Sequence, residues 1–134
     1  MAMDYESSKR DIAQLLAEFE RFPDHVEVTP HTNANTLFLR VSWMVHGQGE
    51  DRQCVPIRFA IDGRVIDVIT KQDPAQRKVF EEHFLCFVRN RMLDYDIESG
   101  MPNKSRHGST FDIIFDEDDM KPFYDDLKKL PRTK

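Results

Sequence analysis

From Leu37 to His46 every odd position is apolar, Leu37, Leu39, Val41, Trp43 and Val45, while Arg40, Ser42 and His46 fall on the even ones. Side chains of a strand point alternately to opposite faces, so this run can bury its large residues only as a strand with one core-facing side. Residues 47–51, rich in glycine and acid, follow, and then Val55, Ile57, Phe59 and Ile61 alternate again. Two alternating runs joined by a short glycine-bearing loop predict an antiparallel hairpin. Counting outward from the loop pairs His46 with Arg52, Trp43 with Val55, Val41 with Ile57 and Leu39 with Phe59, which puts the large apolar residues on one face. Pro56 lacks the N–H that this ladder would use, so a bulge or a broken bond is expected there.

Asp62-Gly63 has the composition of a two-residue type I′ turn and predicts a third strand through Ile66 and Val68, with Phe59 opposite Ile66 and Ile57 opposite Val68. A short edge strand is expected at 25–29 and a last one at Phe111, Ile113 and Phe115. Helical spacing marks Ser7 to Phe22, where Ser8 and Asp11 resemble a capping box. It also marks a second helix running to about Tyr95 with Phe80, Phe84, Phe87 and Val88 along one stripe, and a third through Met120, Phe123 and Leu127. The second helix opens with Asp73 as N-cap, Pro74 behind it and Gln76 as the reciprocal acceptor. The expected fold is a single α+β domain over residues 1–134. It is an antiparallel β-meander of three to five strands with helices packed on one face, in the order α-β-β-β-β-α-β-α.

Charge and composition narrow the function. With 134 residues and 40% hydrophobic content the chain can build one core. A net charge of −5 argues against a general nucleic-acid binder, which needs a basic surface. No apolar run approaches the roughly 18 residues of a membrane span, and residues 1–10 carry no signal-peptide core, so neither a membrane partner nor export is expected. Cys54 and Cys86 sit at no metal or redox spacing, which suits a reducing cytoplasm. No cofactor and no metal are expected. Asp94, Asp96, Glu98 and Gly100 suggest a calcium loop, but the glycine and glutamate that such a loop requires are replaced by Ser99 and Ser105. The five histidines are scattered, and His83 lies near the apolar stripe of its helix as a packed residue.

The predicted register carries the main site candidate. Arg40 falls opposite Arg58, and Arg58 opposite Asp67, so an Arg-Arg-Asp row crosses the sheet on the side away from the helices. Phe38, Met44, Cys54, Ala60, Val65 and Ile69 lie around it, more apolar than a solvated face requires. Two opposed arginines repel unless an anion lies between them, so this face reads as a surface for a partner's carboxylates or a small anion. The competing reading has Asp67 and solvent balancing the row while the C-terminal helix covers the apolar residues. A second candidate is the polar stretch 99–110, where Lys104, Arg106 and His107 stand beside serines. It is either an ordinary solvated loop or a place for anion binding or catalysis, although no residue there supplies a positioned base and an oxyanion site together. The segment from Asp112 to Asp126 holds seven acids and one lysine, which suits a helix N-terminus and also an acidic docking surface.

The string Asp51-Arg52-Gln53-Cys54-Val55-Pro56-Ile57-Arg58-Phe59, then Phe87-Val88-Arg89, Asp94-Tyr95-Asp96 and the run from Phe111 to Asp119, resembles a short proteobacterial domain family of unknown function. The resemblance implies a small bacterial domain and brings no activity with it. At the level of architecture the chain is also similar to type III secretion chaperones, which are small, acidic, dimeric α+β proteins. The expected function is therefore non-enzymatic protein interaction in the cytoplasm, as a homodimer that uses the second sheet face or an edge strand. The alternatives are a chaperone-like adaptor for another protein, and a small-anion-binding or enzymatic domain centred on 99–110.

Overall fold

The computed structural model describes residues 5–46, 49, 51–103 and 110–129. Helix α1 spans Tyr5–Ala17 and strands β1 and β2 span Glu27–Asn33 and Thr36–Ser42. A two-stranded ribbon of β3, Met44–His46, and β4, Asp51–Gln53, leads into β5, Ile57–Asp62. Helices α2, Gly63–Thr70, and α3, Pro74–Arg91, follow. A small hairpin of β6, Tyr95–Asp96, and β7, Met101–Pro102, precedes β8, Phe111–Phe115, and α4, Lys121–Leu127, ends the described chain. The fold is mixed α+β, and the main sheet has the order β1-β2-β5-β8.

The central register agrees with the sequence. Leu39 lies opposite Phe59, Val41 opposite Ile57 and Arg40 opposite Arg58. Past Val41 it shifts by one residue, because Trp43 receives the Cys54 N–H at 3.0 Å and Met44 pairs with Gln53, not Arg52 with His46. Val55 and Pro56 together therefore stand opposite Ser42 alone, a β-bulge at the proline. The Val55 N–H goes instead to the Gly100 carbonyl at 2.8 Å, and the Pro56 carbonyl accepts from Phe111 at 2.8 Å. The bulge thus turns this strand from β2 toward β7 and β8.

Residues 63–70 are helical, where alternation predicted a third meander strand. Asp62 caps α2 by accepting the Arg64 N–H at 3.0 Å. A β-carbon on Gly63 would come within 2.5 Å of the Asn35 carbonyl oxygen, so glycine is there for close approach and not for a hairpin conformation. Val65, Ile66 and Ile69 are buried, on one helical stripe. The place beside β5 goes to β8, which runs parallel to it, with Arg58 opposite Asp112 and Ala60 opposite Ile114. Parallel neighbours need a long crossover, and α2 and α3 lie within it.

All four helices contribute to the same side of the sheet. Ile12 and Leu16 of α1, Phe80, Phe84 and Val88 of α3 and Phe123 of α4 join Leu37, Leu39, Val41, Ile57, Phe59, Ile61, Ile113 and Phe115 in one buried cluster. Phe115 meets Phe84 and Phe87 edge-on at 5.4 and 4.8 Å between ring centroids, and Phe123 meets Phe80 at 5.7 Å. The capping box of α3 forms as predicted, with Gln76 N–H on Asp73 at 2.8 Å and Asp73 N–H on Gln76 at 3.1 Å. Ser8 is not a cap. It is buried inside α1, 2.8 Å from the Thr70 hydroxyl, beside an Arg77 side chain that donates to Asp11 and to the Ile69 carbonyl.

Candidate functional site

The side of the main sheet opposite the helices carries a charged row beside an apolar one. Thr29, Arg40, Arg58 and Asp112 lie side by side across β1, β2, β5 and β8, and His31, Phe38, Ala60 and Ile114 form the next outward row. No helix among the described residues lies on this face, because α4 packs on α3 through Phe123 and Phe80. The C-terminal helix therefore leaves the row open.

Arg58 and Arg40 differ in their surroundings. The Arg58 guanidinium makes a two-point ion pair with Asp112, both contacts at 3.1 Å, and lies 5.4 Å from the centre of the Phe38 ring. Thr110 donates to the same carboxylate at 2.7 Å and holds it in place. Arg58 is thereby fixed flat on the sheet, since a forked donor matches a carboxylate in only a few orientations. Arg40 is exposed and has no carboxylate partner among the described residues. Ile114 is 61% exposed next to half-buried Phe38 and Ala60, so the row has an apolar flank.

Several predicted members lie elsewhere. Asp67 is on the exposed side of α2, in the helix layer, so it cannot face Arg58; the hairpin reading of residues 62–63 misplaced it. Val65 and Ile69 are core residues of α2, and Cys54 is buried, its sulfur accepting the Trp43 N–H at 3.3 Å. Met44 has left the main sheet for the β3–β4 ribbon, where it is 39% exposed and its carbonyl accepts from His25 at 3.0 Å. Asp112 and Ile114 take their places. Their signal was in the sequence, since both fall out of phase with the core-facing pattern of half-buried Phe111 and buried Ile113 and Phe115. Their neighbour was not, because parallel pairing leaves no turn from which to count.

Lys104, Arg106 and His107 lie outside the described residues. The start of the same stretch is tied down: Met101 pairs with Asp96, and Asn103 donates to the Asp94 and Leu93 carbonyls, both at 2.8 Å. Asp94, Asp96 and Glu98 shape that turn, with Gly100 at φ +68° over Cys54. His25 and His46 have ring centres 5.7 Å apart, and His46 contacts Asp51 at 3.1 Å. No cluster of three metal-ligating side chains occurs among the described residues, and no helix among them is long and apolar enough to cross a membrane. The Tyr95 hydroxyl donates to the Val55 carbonyl at 2.7 Å, and burial, followed by the nearby Cys54 thiol, pushes its pKa far up; it is a structural group.

Comparison with protein-family models, curated proteins and solved structures returns no match.

Proposed function

We propose that the chain is a protein-interaction domain whose partner is a second copy of itself, joined through the open face of the main sheet. The observation that carries this reading is that Arg40, with no carboxylate partner among the described residues, and Ile114 are both exposed on a sheet face that no described helix covers. An apolar row flanked by charge is the composition of an interface with a dry centre and a polar rim. A two-fold axis laid along Phe38, Ala60 and Ile114 would stack this row on its own copy. It would also set Arg40 and Arg58 across from Thr36 and Asp62 of the second copy, since those residues flank the row on its other side. The interface would then set the Asp62 carboxylate of the second copy against Arg58, one strand over from Arg40.

Light scattering after size exclusion tests the reading. Ile114→Glu and Arg40→Glu alter exposed side chains and should leave the fold intact. A dimeric parent, with either variant shifted to monomer by at least tenfold in dissociation constant, is the expected outcome. Arg58→Glu is less informative, because it breaks the ion pair with Asp112 within one chain. A parent that stays monomeric at every concentration and salt level would remove self-association from consideration.

A further inference from the structure

The helix layer, on the far side of the sheet from Arg40, contains an open groove of about 680 Å³. One wall is α3, which contributes His83, Cys86, Phe87 and Asn90 at three- and four-residue spacing, continued by Leu93 in the short helical turn of residues 92–94 that follows it. The other is formed by Asp118, Asp119 and Pro122 where the chain enters α4. Ten residues separate His83 from Leu93, so the wall is about 15 Å long, close to three helical turns. Leu93 is 63% exposed at its end, an anchor that this chain leaves uncovered.

The charges along the groove are unequally balanced. Arg89 is held by Glu20, with contacts of 3.1 and 2.7 Å, and His83 is hydrogen-bonded to Asp126. The Asp118 carboxylate has no partner cation among the described residues. The Asp119 carboxyl is held above the usual range, first by burial and then by the adjacent Asp116 charge, against a backbone hydrogen bond from Asp116 and a weaker pull from Arg91. The groove therefore offers an apolar floor and an acidic rim.

We propose that this groove receives a short amphipathic helix of a partner protein, its apolar edge on Phe87 and Leu93 and a basic side chain against Asp118 and Asp119. Anchors at i, i+3 or i+4 and i+7 of such a helix span the same three turns as the α3 stripe. The basic flank follows from charge complementarity: a cation set at the rim gives Asp118 the counter-charge it lacks among the described residues and offsets the crowding of Asp119 against Asp116. This surface is separate from the Arg40 face, so it stands or falls independently of self-association.

Two synthetic helical peptides of about 14 residues serve as probes, one built of leucine and lysine and one of leucine and glutamate. They are titrated into the isotope-labelled full chain, with amide shifts read at each residue and dissociation constants measured at low and high salt. The expected result is saturable binding of the lysine peptide alone, with shifts confined to 83–93 and 118–122 and affinity falling as salt rises. Leu93→Glu should weaken it about tenfold or more, and Asp118→Lys should transfer the preference to the glutamate peptide. The amide spectrum shows at once that both variants are folded. Equal binding of the two peptides, indifference to Leu93→Glu, or shifts centred on the open sheet face would overturn the proposal. So would dodecyltrimethylammonium saturating the groove while the peptide stays outside, which would make it a small-molecule pocket.

Discussion

Three arginines show how surroundings set what one side chain is worth. Arg77 is almost buried, with Asp11, Ser8 and the Ile69 carbonyl around its guanidinium. Its removal takes one of the donors from the Ile69 carbonyl and the cation from Asp11, and leaves space among buried groups, so Arg77→Leu should lower stability by about 1–2 kcal/mol in urea unfolding. Arg58 and Asp112 are about half exposed, at 49% and 48%, and water screens their attraction. Asp112→Ala should therefore shift the same midpoint by no more than about 0.5 kcal/mol. Arg40 forms no ion pair with a described carboxylate, so Arg40→Ala should leave the unfolding midpoint unchanged. Gly100 has little freedom to change. At φ +68° it would bring a β-carbon to 2.5 Å from Val45 Cγ2 and 2.8 Å from the Cys54 β-carbon. Gly100→Ala is expected to cost about 2 kcal/mol or more, through strain and overpacking together.

Between elements, the link from α3 to α4 makes a pH-dependent contribution. The hydrogen bond from His83, and then that from Lys129, hold the Asp126 carboxyl below the usual aspartate range. The fold prefers this group ionised, so its contribution is complete above the ordinary value near pH 4 and is lost as pH falls through the lowered one. Asp126→Asn should thus be less stable than the parent at pH 7, and the gap should narrow steadily in unfolding curves taken at pH values below about 4. Asp119 has the opposite sign. Its carboxyl is raised, so ionisation weakens the fold, and Asp119→Asn, which keeps an acceptor for the Asp116 N–H, should match or exceed the parent at pH 7. Elements with local signals were legible: the strand alternation at 37–41 and 57–61, the complete cap at Asp73, and the outward phase of Asp112 and Ile114. The stretch 63–70 was not, because Asp-Gly serves equally as a hairpin turn and as an N-cap followed by a tightly packed first residue. Val65, Ile66, Val68 and Ile69 fit a short strand and a buried helix alike.

Across the molecule, β2 and β5 are the two central strands of the main sheet, each with large buried residues and a hydrogen-bonded neighbour on both sides. Amide exchange should be slowest at Phe59 and Ile61 and fastest in the β3–β4 ribbon and along exposed β1. Uniform protection across β1 would instead indicate a partner seated on that edge. The sequence by itself determined the class, the core face of the central hairpin and the presence of a bulge at Pro56, because alternation, capping and a missing N–H act within a few residues. Only the tertiary structure decided that β8, and not residues 64–69, lies beside β5, and hence that Arg58 meets Asp112 and that no described helix covers the Arg40 face. That choice depends on how α2, α3 and α4 share one apolar layer. Such packing joins residues more than forty positions apart, and no local pattern encodes it.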